Sequence, residues 1–252
     1  FEVSGRGELH LSVLIEKMRR EGFEMGVSRP EVIRRVLDGV EQEPYEALLI
    51  DCEETHQGPI MEEMGKRRGE LRDMVPDGQG RVRLEYMIPS RGIIGFRNQF
   101  LTMTSGTGVL NSIFDHYGPV KAGEVAARQN GVLVSMVPGK ALGYALFSLQ
   151  ERGRLFIGPN VEVYEGQLIG IHSRDNDLAV NPTKGKQLTN IRAAGSDENI
   201  LLTPPIRMSL EQALDFIDDD ELVEVTPQNV RLRKKLLKEV DRRRAGRHKE
   251  AG

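Results

Sequence analysis

The sequence predicts an α+β protein of 252 residues, in which a small mixed domain precedes a strand-rich region. Between residues 45 and 118, short apolar strands and amphipathic helices alternate in the order β-α-β-β-α-β. More strands and three helical patterns follow residue 130, and residues 173–199 among them show neither a helical nor a strand period. A polar loop of this length inside a folded domain is usually either functional or disordered.

Composition excludes several classes of protein. No apolar run approaches the roughly 20 residues that cross a bilayer. Glu2, Arg6 and Glu8 interrupt any signal peptide at the start of the chain. The single cysteine, Cys52, cannot form an internal disulfide and fits a reducing compartment. We therefore expect a cytoplasmic protein that makes no contact with a membrane.

Charge is distributed unevenly along the chain. The net charge of −3 argues against a uniformly basic nucleic-acid binder. However, residues 215–224 hold six acids and no base, whereas residues 231–249 hold ten basic residues and two acids. Segregated charge of this kind favours a large partner with several surfaces over a small neutral substrate.

Residues 1–28 are expected to be the end of an incomplete domain. FEVSG predicts a strand, and FEMGV predicts a second short strand. Between them, GELHLSVLIEKMRREG predicts an amphipathic helix, because four apolar side chains recur at helical spacing: Leu11, Leu14, Ile15 and Met18. Two strands and one helix bury little, so the other half of this domain is expected elsewhere. Ser28-Arg29-Pro30 is interpreted as a linker.

Residues 29–118 are expected to form a ferredoxin-like domain. Strands are predicted at YEALLIDC, GELRDM, RVRLEYMI and GVLNSIFDHY, and helices at the segment after Pro59 and within SRGIIGFRNQFLTMTS. RVRLEYMI shows the alternation of a half-buried strand, with these residues inward: Val82, Leu84, Tyr86 and Ile88. The order of these elements is the split βαβ pattern.

Residues 119–252 are expected to form a mixed, strand-rich C-terminal domain. Strands are predicted at VLVSMV, RLFI, VEVY, QLIGIH and LVEVT, and helices at ALGYALFSLQ and MSLEQALDFI. Ser209 and Gln212 have the spacing of a capping box at the start of the second helix. A basic helix is predicted from about Gln228 to the end, with an inner stripe of Val230, Leu232, Leu236, Leu237 and Val240.

Three groups of cations are candidate contacts for a phosphate backbone. The middle of the polar loop, residues 182–196, carries Lys184, Lys186 and Arg192 and no acid. Arg91 and Arg97 flank the GIIG segment, whose backbone amides at a helix start suit phosphate. The predicted basic helix adds Arg233, Lys234, Arg242 and Arg243. In each case the alternative is structural: a solvated loop, glycines that permit close packing, and a solvated helix face.

Acidic residues and histidines offer weaker candidates. Asp218-Asp219-Asp220-Glu221 suits a hard metal ion, but the alternative is a solvated helix end. Asp115 and His116 are adjacent and are therefore expected on opposite strand faces, not as a dyad. Cys52 is expected to be a small buried residue, and no Cys/His metal spacing occurs. No metal site is assigned.

The sequence resembles the translational GTPases over nearly its whole length. GRGELHLSVLIEKMRRE and SRPEVI are similar to the end of the third domain of elongation factor G. YEALLIDCEETHQGPIMEEMGKRRGEL, SRGIIGFRNQF and FDHY are similar to its fifth, ferredoxin-like domain. NPTKGKQLTNIRAAGSDENILLTPP and IDDDELVEVTP resemble the C-terminal domain peculiar to the TypA/BipA ribosome-binding GTPases.

The resemblance implies that the chain contacts ribosomal RNA and the acceptor end of A-site tRNA. The loop positions that match are Lys184, Lys186, Gln187, Thr189, Asn190 and Arg192. It also implies that GTP and Mg²⁺ bind in a domain absent from this sequence, which has no G-x-x-x-x-G-K-[ST] loop. The chain itself is therefore expected to have no cofactor, no small-molecule substrate and no catalysis.

Two hypotheses of other classes remain open from the sequence. One is a metal-dependent hydrolase that uses residues 218–221 and His116. The other is a protein-binding scaffold without RNA contact. Stabilisation by metal would favour the first, and binding that is insensitive to salt would favour the second.

Overall fold

Two β-sheets, each covered by helices, organise the protein. The computed structural model describes residues 1–123, 128, 130–185 and 201–250. Helices and strands both contribute within these ranges, which confirms the α+β class. None of the helices described is both long and apolar enough to cross a membrane.

The first segment contains helix α1 (Glu8–Arg20) and strand β1 (Met25–Val27), as predicted. The prediction of a strand at FEVSG is wrong, because residues 1–5 belong to no strand. A strand needs a hydrogen-bonded neighbour, and residues 1–5 pair with none of the strands that the structure describes. Helix α1 turns Ile15 inward, whereas Leu14 is partly exposed.

The predicted βαββαβ unit lies in the middle of the chain. Its elements, preceded by the short strand β2 (Arg35–Leu37), are β3 (Val40–Glu53), α2 (Gln57–Lys66), β4 (Glu70–Pro76), β5 (Arg81–Pro89), α3 (Phe96–Met103) and β6 (Val109–Pro119). The strands pair antiparallel in the order β4-β5-β3-β6, so the two helices cover one face. The alternation of β5 holds, since Val82, Leu84, Tyr86 and Ile88 are all buried.

The described residues that follow form most of a second sheet and a separate two-stranded sheet. The elements of this part are β7 (Val132–Ser135), β8 (Gly139–Lys140), α4 (Gly143–Leu149), β9 (Gly153–Leu155), β10 (Glu162–Val163), β11 (Gln167–His172), β12 (Leu178–Val180), α5 (Leu210–Phe216), β13 (Glu221–Val225), β14 (Val230–Lys234) and α6 (Glu239–Glu250). Strands β8 and β10 pair with each other, outside the second sheet. Ser209 caps α5 in the predicted capping box with Gln212. The strand order is β1-β13-β14-β11-β7-β12, with β9 also paired to β11.

Both faces of this sheet are buried at β7, which explains why its first three residues, 132–134, are all apolar. On one face, Val132 and Val134 pack with α5 residues such as Leu214. On the other face, Leu133 packs with Leu146 of α4. A central strand covered on both sides can be continuously apolar, without alternation.

Strand β1 of the first segment pairs with β13 at the edge of the second sheet. Met25 lies opposite Val225, and Val27 lies opposite Val223. Ile15 of α1 joins the same core as Leu214. The first segment is thus packed on the C-terminal sheet here, and the division of the chain at residues 28 and 118 remains a prediction.

The helix predicted from Gln228 is wrong over its first half. Residues Val230–Lys234 form β14, and helix α6 begins only at Glu239. Leu232 and Lys234 point inward with a period of two, because β13 and β11 are available on either side. Leu236, Leu237 and Val240, expected to be an inner stripe, are 45%, 39% and 67% exposed. In β14, pairing with the neighbouring strands overrides the helical spacing of Val230 and Leu232.

Three elements from different parts of the chain meet at a carboxyl pair. Glu8, at the start of α1, faces Asp215 of α5. Gly95, just before α3, lies close to Glu8, and the side chain of Asn98 donates to Asp215 across 2.8 Å. Burial and the adjacent Asp215 raise the pKa of Glu8 to about 8, against its ordinary 4.5. Glu8 is therefore protonated at neutral pH and helps join the two sheets.

This protonation makes stability depend on pH with a defined sign. The folded state retains a proton on Glu8 between about pH 4.5 and 8, where the unfolded chain has lost it. The contribution is complete below the unfolded pKa and is lost as pH rises toward 8. We expect Glu8→Gln, which stays neutral, to gain stability over the natural chain on going from pH 5 to pH 8.5. Urea unfolding at both pH values measures this, and Glu2→Gln, on an exposed residue of the same segment, is the control. An equal pH dependence in Glu8→Gln and the natural chain would contradict the assignment.

Candidate nucleic-acid interface

The expected absence of a strand from residues 173–199 is wrong for Leu178–Val180, which form β12 because they pair with β7. The polar loop therefore leaves the fold at Pro182, its outgoing root, and returns at Leu201, its returning root. Both roots lie beside the same short helix, α4. At the outgoing root, the backbone N–H of Leu142 donates to the carbonyl of Pro182 across 2.9 Å. At the returning root, the side chain of Gln150 donates to the carbonyl of Leu201 and accepts from the N–H of Thr203, both across 3.0 Å. The two ends of α4 therefore fix the two roots of the loop.

The outgoing root is a tight turn that presents one cation. The side-chain oxygen of Asn181 accepts from the backbone N–H and the hydroxyl of Thr183, across 2.9 and 2.8 Å. Lys184 follows and is exposed. The other matched positions of the loop lie outside the described residues: Lys186, Gln187, Thr189, Asn190 and Arg192.

The GIIG segment is explained by close packing. A Cβ on Gly92 would lie 2.6 Å from the carbonyl oxygen of Arg67. Gly95 has a φ of +72°, in the left-handed region that favours glycine, and a Cβ there would lie 2.9 Å from the carbonyl oxygen of Asp215. Both glycines allow α3 to approach other elements, so the structural alternative accounts for them.

The two arginines that flank this segment differ in what they contact. The guanidinium of Arg91 lies 2.5 Å from the buried carboxylate of Glu43 and donates to the carbonyls of Lys121 and Gly123. It ties the first sheet to the segment that leads to the second, and its donors are used internally. Arg97, in the first turn of α3, is exposed.

The basic residues near the end of the chain also differ in exposure and in the groups that they contact. The ammonium of Lys234 is 3% exposed and lies 2.6 to 2.9 Å from three carboxylates, those of Asp177, Asp220 and Glu221. Burial alone would lower the pKa of Lys234, but these carboxylates raise it well above the ordinary value. Arg233 is partly buried near Glu224, with 3.8 Å between the charged groups. Lys234 therefore has no capacity left for an external phosphate.

Within α6 the two candidate arginines have different surroundings. Arg242 donates to the carbonyls of Leu236 and Leu237 and so holds the turn that leads into the helix. Arg243 is 74% exposed and forms an ion pair with Glu239 one turn earlier. Arg243 is the more accessible of the two.

The acidic run is an internal ion-pair network, so the interpretation of a solvated helix end is wrong for two of its members. Glu221 is fully buried and receives two hydrogen bonds from Arg128, across 2.8 and 3.0 Å. Asp218 lies 3.6 Å from Arg128, while Asp219 remains exposed. Burial raises the pKa of Glu221, but the hydrogen bonds and charge of Arg128, together with Lys234, lower it overall. No cluster of the described His, Cys, Asp and Glu residues could hold a metal ion.

The expectation that Asp115 and His116 point apart is also wrong. Their side chains meet, with 2.6 Å between the Asp115 carboxylate and Nδ1 of His116. The cause is a bulge: Tyr45 lies opposite His116 and Glu46 opposite Phe114, which leaves Asp115 as the extra residue. The His116 ring stacks on Tyr45. Cys52 is buried as expected, and burial raises the pKa of its thiol.

Sequence reasoning missed two aromatic side chains beside the loop. Tyr144 and Phe147 of α4 are 40% and 41% exposed. Their spacing of three residues suggests one helix face, but apolar residues at that spacing ordinarily predict core. The signal that distinguishes them is the position of α4 between the two loop roots, which only the structure gives.

Comparison with known proteins gives consistent matches. The profile of the TypA/BipA C-terminal domain matches residues 130–239, and that of the elongation factor G C-terminus matches residues 40–128. A protein of Haemophilus influenzae named large ribosomal subunit assembly factor BipA is 68% identical over 98% of the chain, and 40% of its own length is covered. Proteins of the same name from Salmonella typhimurium and Buchnera aphidicola are 66% and 56% identical over 98% and 100% of the chain, with 41% of each covered. The chain thus spans about two fifths of the length of these curated relatives.

The ion-pair network gives a stability prediction. Lys234→Met should lower the free energy of unfolding by about 3 kcal/mol, because three carboxylates lose a buried cation. Lys235→Met, on the adjacent exposed lysine, should change it by no more than about 0.5 kcal/mol. Urea unfolding at pH 7 measures both changes. Equal, small effects of the two substitutions would show that the network is not stabilising.

Proposed function

The chain belongs to the TypA/BipA family, whose C-terminal portion it matches, and on this premise we propose that it is the RNA-contacting part of a ribosome-binding GTPase. Its partners would be ribosomal RNA and the acceptor end of a tRNA in the A site. The name that the relatives carry, large ribosomal subunit assembly factor, supports the ribosome as the partner. A ribosomal partner also supports a cytoplasmic location.

The observation that supports the proposal is the attachment of both roots of the loop to helix α4. Both roots are hydrogen-bonded to the ends of α4, whose inner face is buried in the core through Ala145 and Leu146. Between the roots, residues 182–196 contain Lys184, Lys186 and Arg192 and no acid. Asp197 and Glu198 follow, just before the returning root. A rigid base therefore carries a segment whose positive charge is concentrated in residues 182–196, which suits a phosphate backbone.

The proposal assigns roles residue by residue. Lys184, Lys186 and Arg192 would neutralise phosphates, while Gln187, Thr189 and Asn190 would bond to 2′-hydroxyls or base edges. Arg97 and Arg243 are exposed and would add further phosphate contacts. Arg91 and Lys234 are assigned to the fold, because their charged groups already meet internal carboxylates.

Hydrolysis of GTP would take place outside this sequence. The sequence contains no phosphate-binding G-x-x-x-x-G-K-[ST] loop. GTP and Mg²⁺ would bind in another domain of the parent protein, and this chain would position that domain on the ribosome. Its contribution is therefore electrostatic and geometric, with no bond made or broken by its own residues.

The proposal predicts a change in salt dependence. Lys184, Lys186 and Arg192 replaced together by alanine should weaken binding of the chain to ribosomes. The slope of log affinity against log salt should flatten by about 0.7 to 0.9 for each phosphate that is no longer neutralised, because fewer counterions are released. Co-sedimentation with ribosomes across a salt series measures affinity and slope together.

A matched control removes three cations from another surface. Arg6, Lys17 and Arg20 are exposed on the first segment, and their replacement by alanine makes the same change in net charge. This control should leave affinity and slope nearly unaltered. If both triple variants weaken binding equally, net charge and not the loop is responsible, and the proposal fails.

A further inference from the structure

Helix α4 exposes an aromatic pair at the centre of the proposed RNA-binding region. Tyr144 and Phe147 are separated by one helical turn, so their rings project from the same face of the helix. The outgoing root lies beside Leu142, before the first ring, and the returning root lies beside Gln150, after the second. The two rings therefore lie on the helix that separates the two roots.

The pair belongs to none of the core clusters that the structure describes. Ala145 and Leu146 bury the opposite face of α4, at 5% and 0% exposure, and Leu146 packs with Leu133. Tyr144 and Phe147 keep about two fifths of their surface open. Each side chain therefore keeps exposed surface on which a planar group can stack.

We propose that Tyr144 and Phe147 are a stacking platform for unpaired nucleotides of RNA. This inference rests on the proposed function and specifies the class of RNA. A base inside a duplex stacks on its neighbours and has no free face for a side chain, whereas an unpaired base has one. Every base can stack on an aromatic ring, so the platform needs no particular sequence.

The charges around the platform suit a nucleic acid better than an apolar protein surface. Lys140 of β8 and Lys184 at the outgoing root are exposed, and Arg152 is exposed beyond the returning root. The exposed acids on these elements are Glu151 and Glu162, and Glu162 lies directly across from Lys140. The exposed cations around the helix thus outnumber the exposed acids, which favours the phosphates that flank a stacked base.

Stacking and charge contribute to binding in distinguishable ways. Cations of the loop act through counterion release, which depends on salt. Ring stacking neutralises no phosphate, so removal of the rings should lower affinity without a change in the salt slope. The two parts of the interface can therefore be tested separately on the same protein.

The test compares Tyr144→Ala/Phe147→Ala with the natural chain. Affinities are measured by fluorescence anisotropy for a labelled 12-nucleotide single-stranded RNA of mixed sequence and for the blunt duplex of that sequence. Removal of the rings should weaken single-strand binding about tenfold or more, with the duplex affinity and the salt slope unchanged. Phe114→Ala, which removes a ring 56% exposed on the other sheet, is the matched control and should leave both affinities unchanged.

A second variant and a covalent readout separate stacking from simple apolar contact. Tyr144→Leu/Phe147→Leu keeps apolar bulk on α4 but removes the flat rings, and it should remain weak. RNA that contains 5-iodouridine should crosslink on irradiation to the peptide that spans residues 143–150. Full affinity of the leucine variant, or crosslinks that bypass this peptide, would overturn the proposal.

Failure of this inference differs from failure of the proposed function. If the lysine and arginine variant of the loop flattens the salt slope while the ring variants bind as the natural chain does, RNA binding stands and the platform is refuted. If the ring variants lose affinity for ribosomes but keep it for single-stranded RNA, the pair contacts a ribosomal protein, which also refutes the platform. If the loop variant changes nothing while the ring variants fail on single strands, the platform stands and the phosphate role of the loop is refuted.

Discussion

The C-terminal half of the structure depends on the ion pairs of the fully buried carboxylate of Glu221. Arg128 and Lys234 neutralise it from two directions, and Lys234 in turn reaches Asp177. Asp177 accepts from the backbone N–H of Val132, at the start of the central strand. One network therefore fixes β13, β14 and β7 against the segment that leads to the outgoing root of the loop. These buried ion pairs stabilise the sheet that supports the two roots of the loop.

The same network shows why charge patterns are ambiguous in a sequence. The run of acids at 218–221 and the basic residues from 231 suggest two separate charged surfaces, but their buried members pair with each other. Lys234 and Arg91 are reasonable candidates for phosphate by residue type, and each meets an internal carboxylate. Exposure, which depends on tertiary contacts between distant residues, separates these from Arg97 and Arg243. The sequence shows which residues are cationic, and the packing of the fold determines which of them remain exposed to bind phosphate.

Local sequence patterns predict the fold well where the tertiary contacts of a segment favour the same secondary structure. The alternation of Val82 to Ile88, the capping box of Ser209 and the order of elements from 45 to 118 all appear in the structure. Errors occur where a partner strand decides: β14 replaces a predicted helix, residues 1–5 lack a partner strand, and a bulge at Asp115 reverses a side chain. For the candidate site, the cationic loop is evident from composition. The rings of Tyr144 and Phe147 are not, because apolar helix residues ordinarily face inward.

The pairing of β1 with β13 has a consequence for synthesis. Met25 and Val225 lie opposite each other although nearly the entire chain separates them. While the chain is being translated, the strand at residues 25–27 has no partner until residues 221–225 leave the exit tunnel. At the usual rates of about 5 to 20 residues per second, this delay is on the order of ten seconds or more. The strand at residues 25–27 is thus translated well before the strand that secures it, and until then its edge is unpaired.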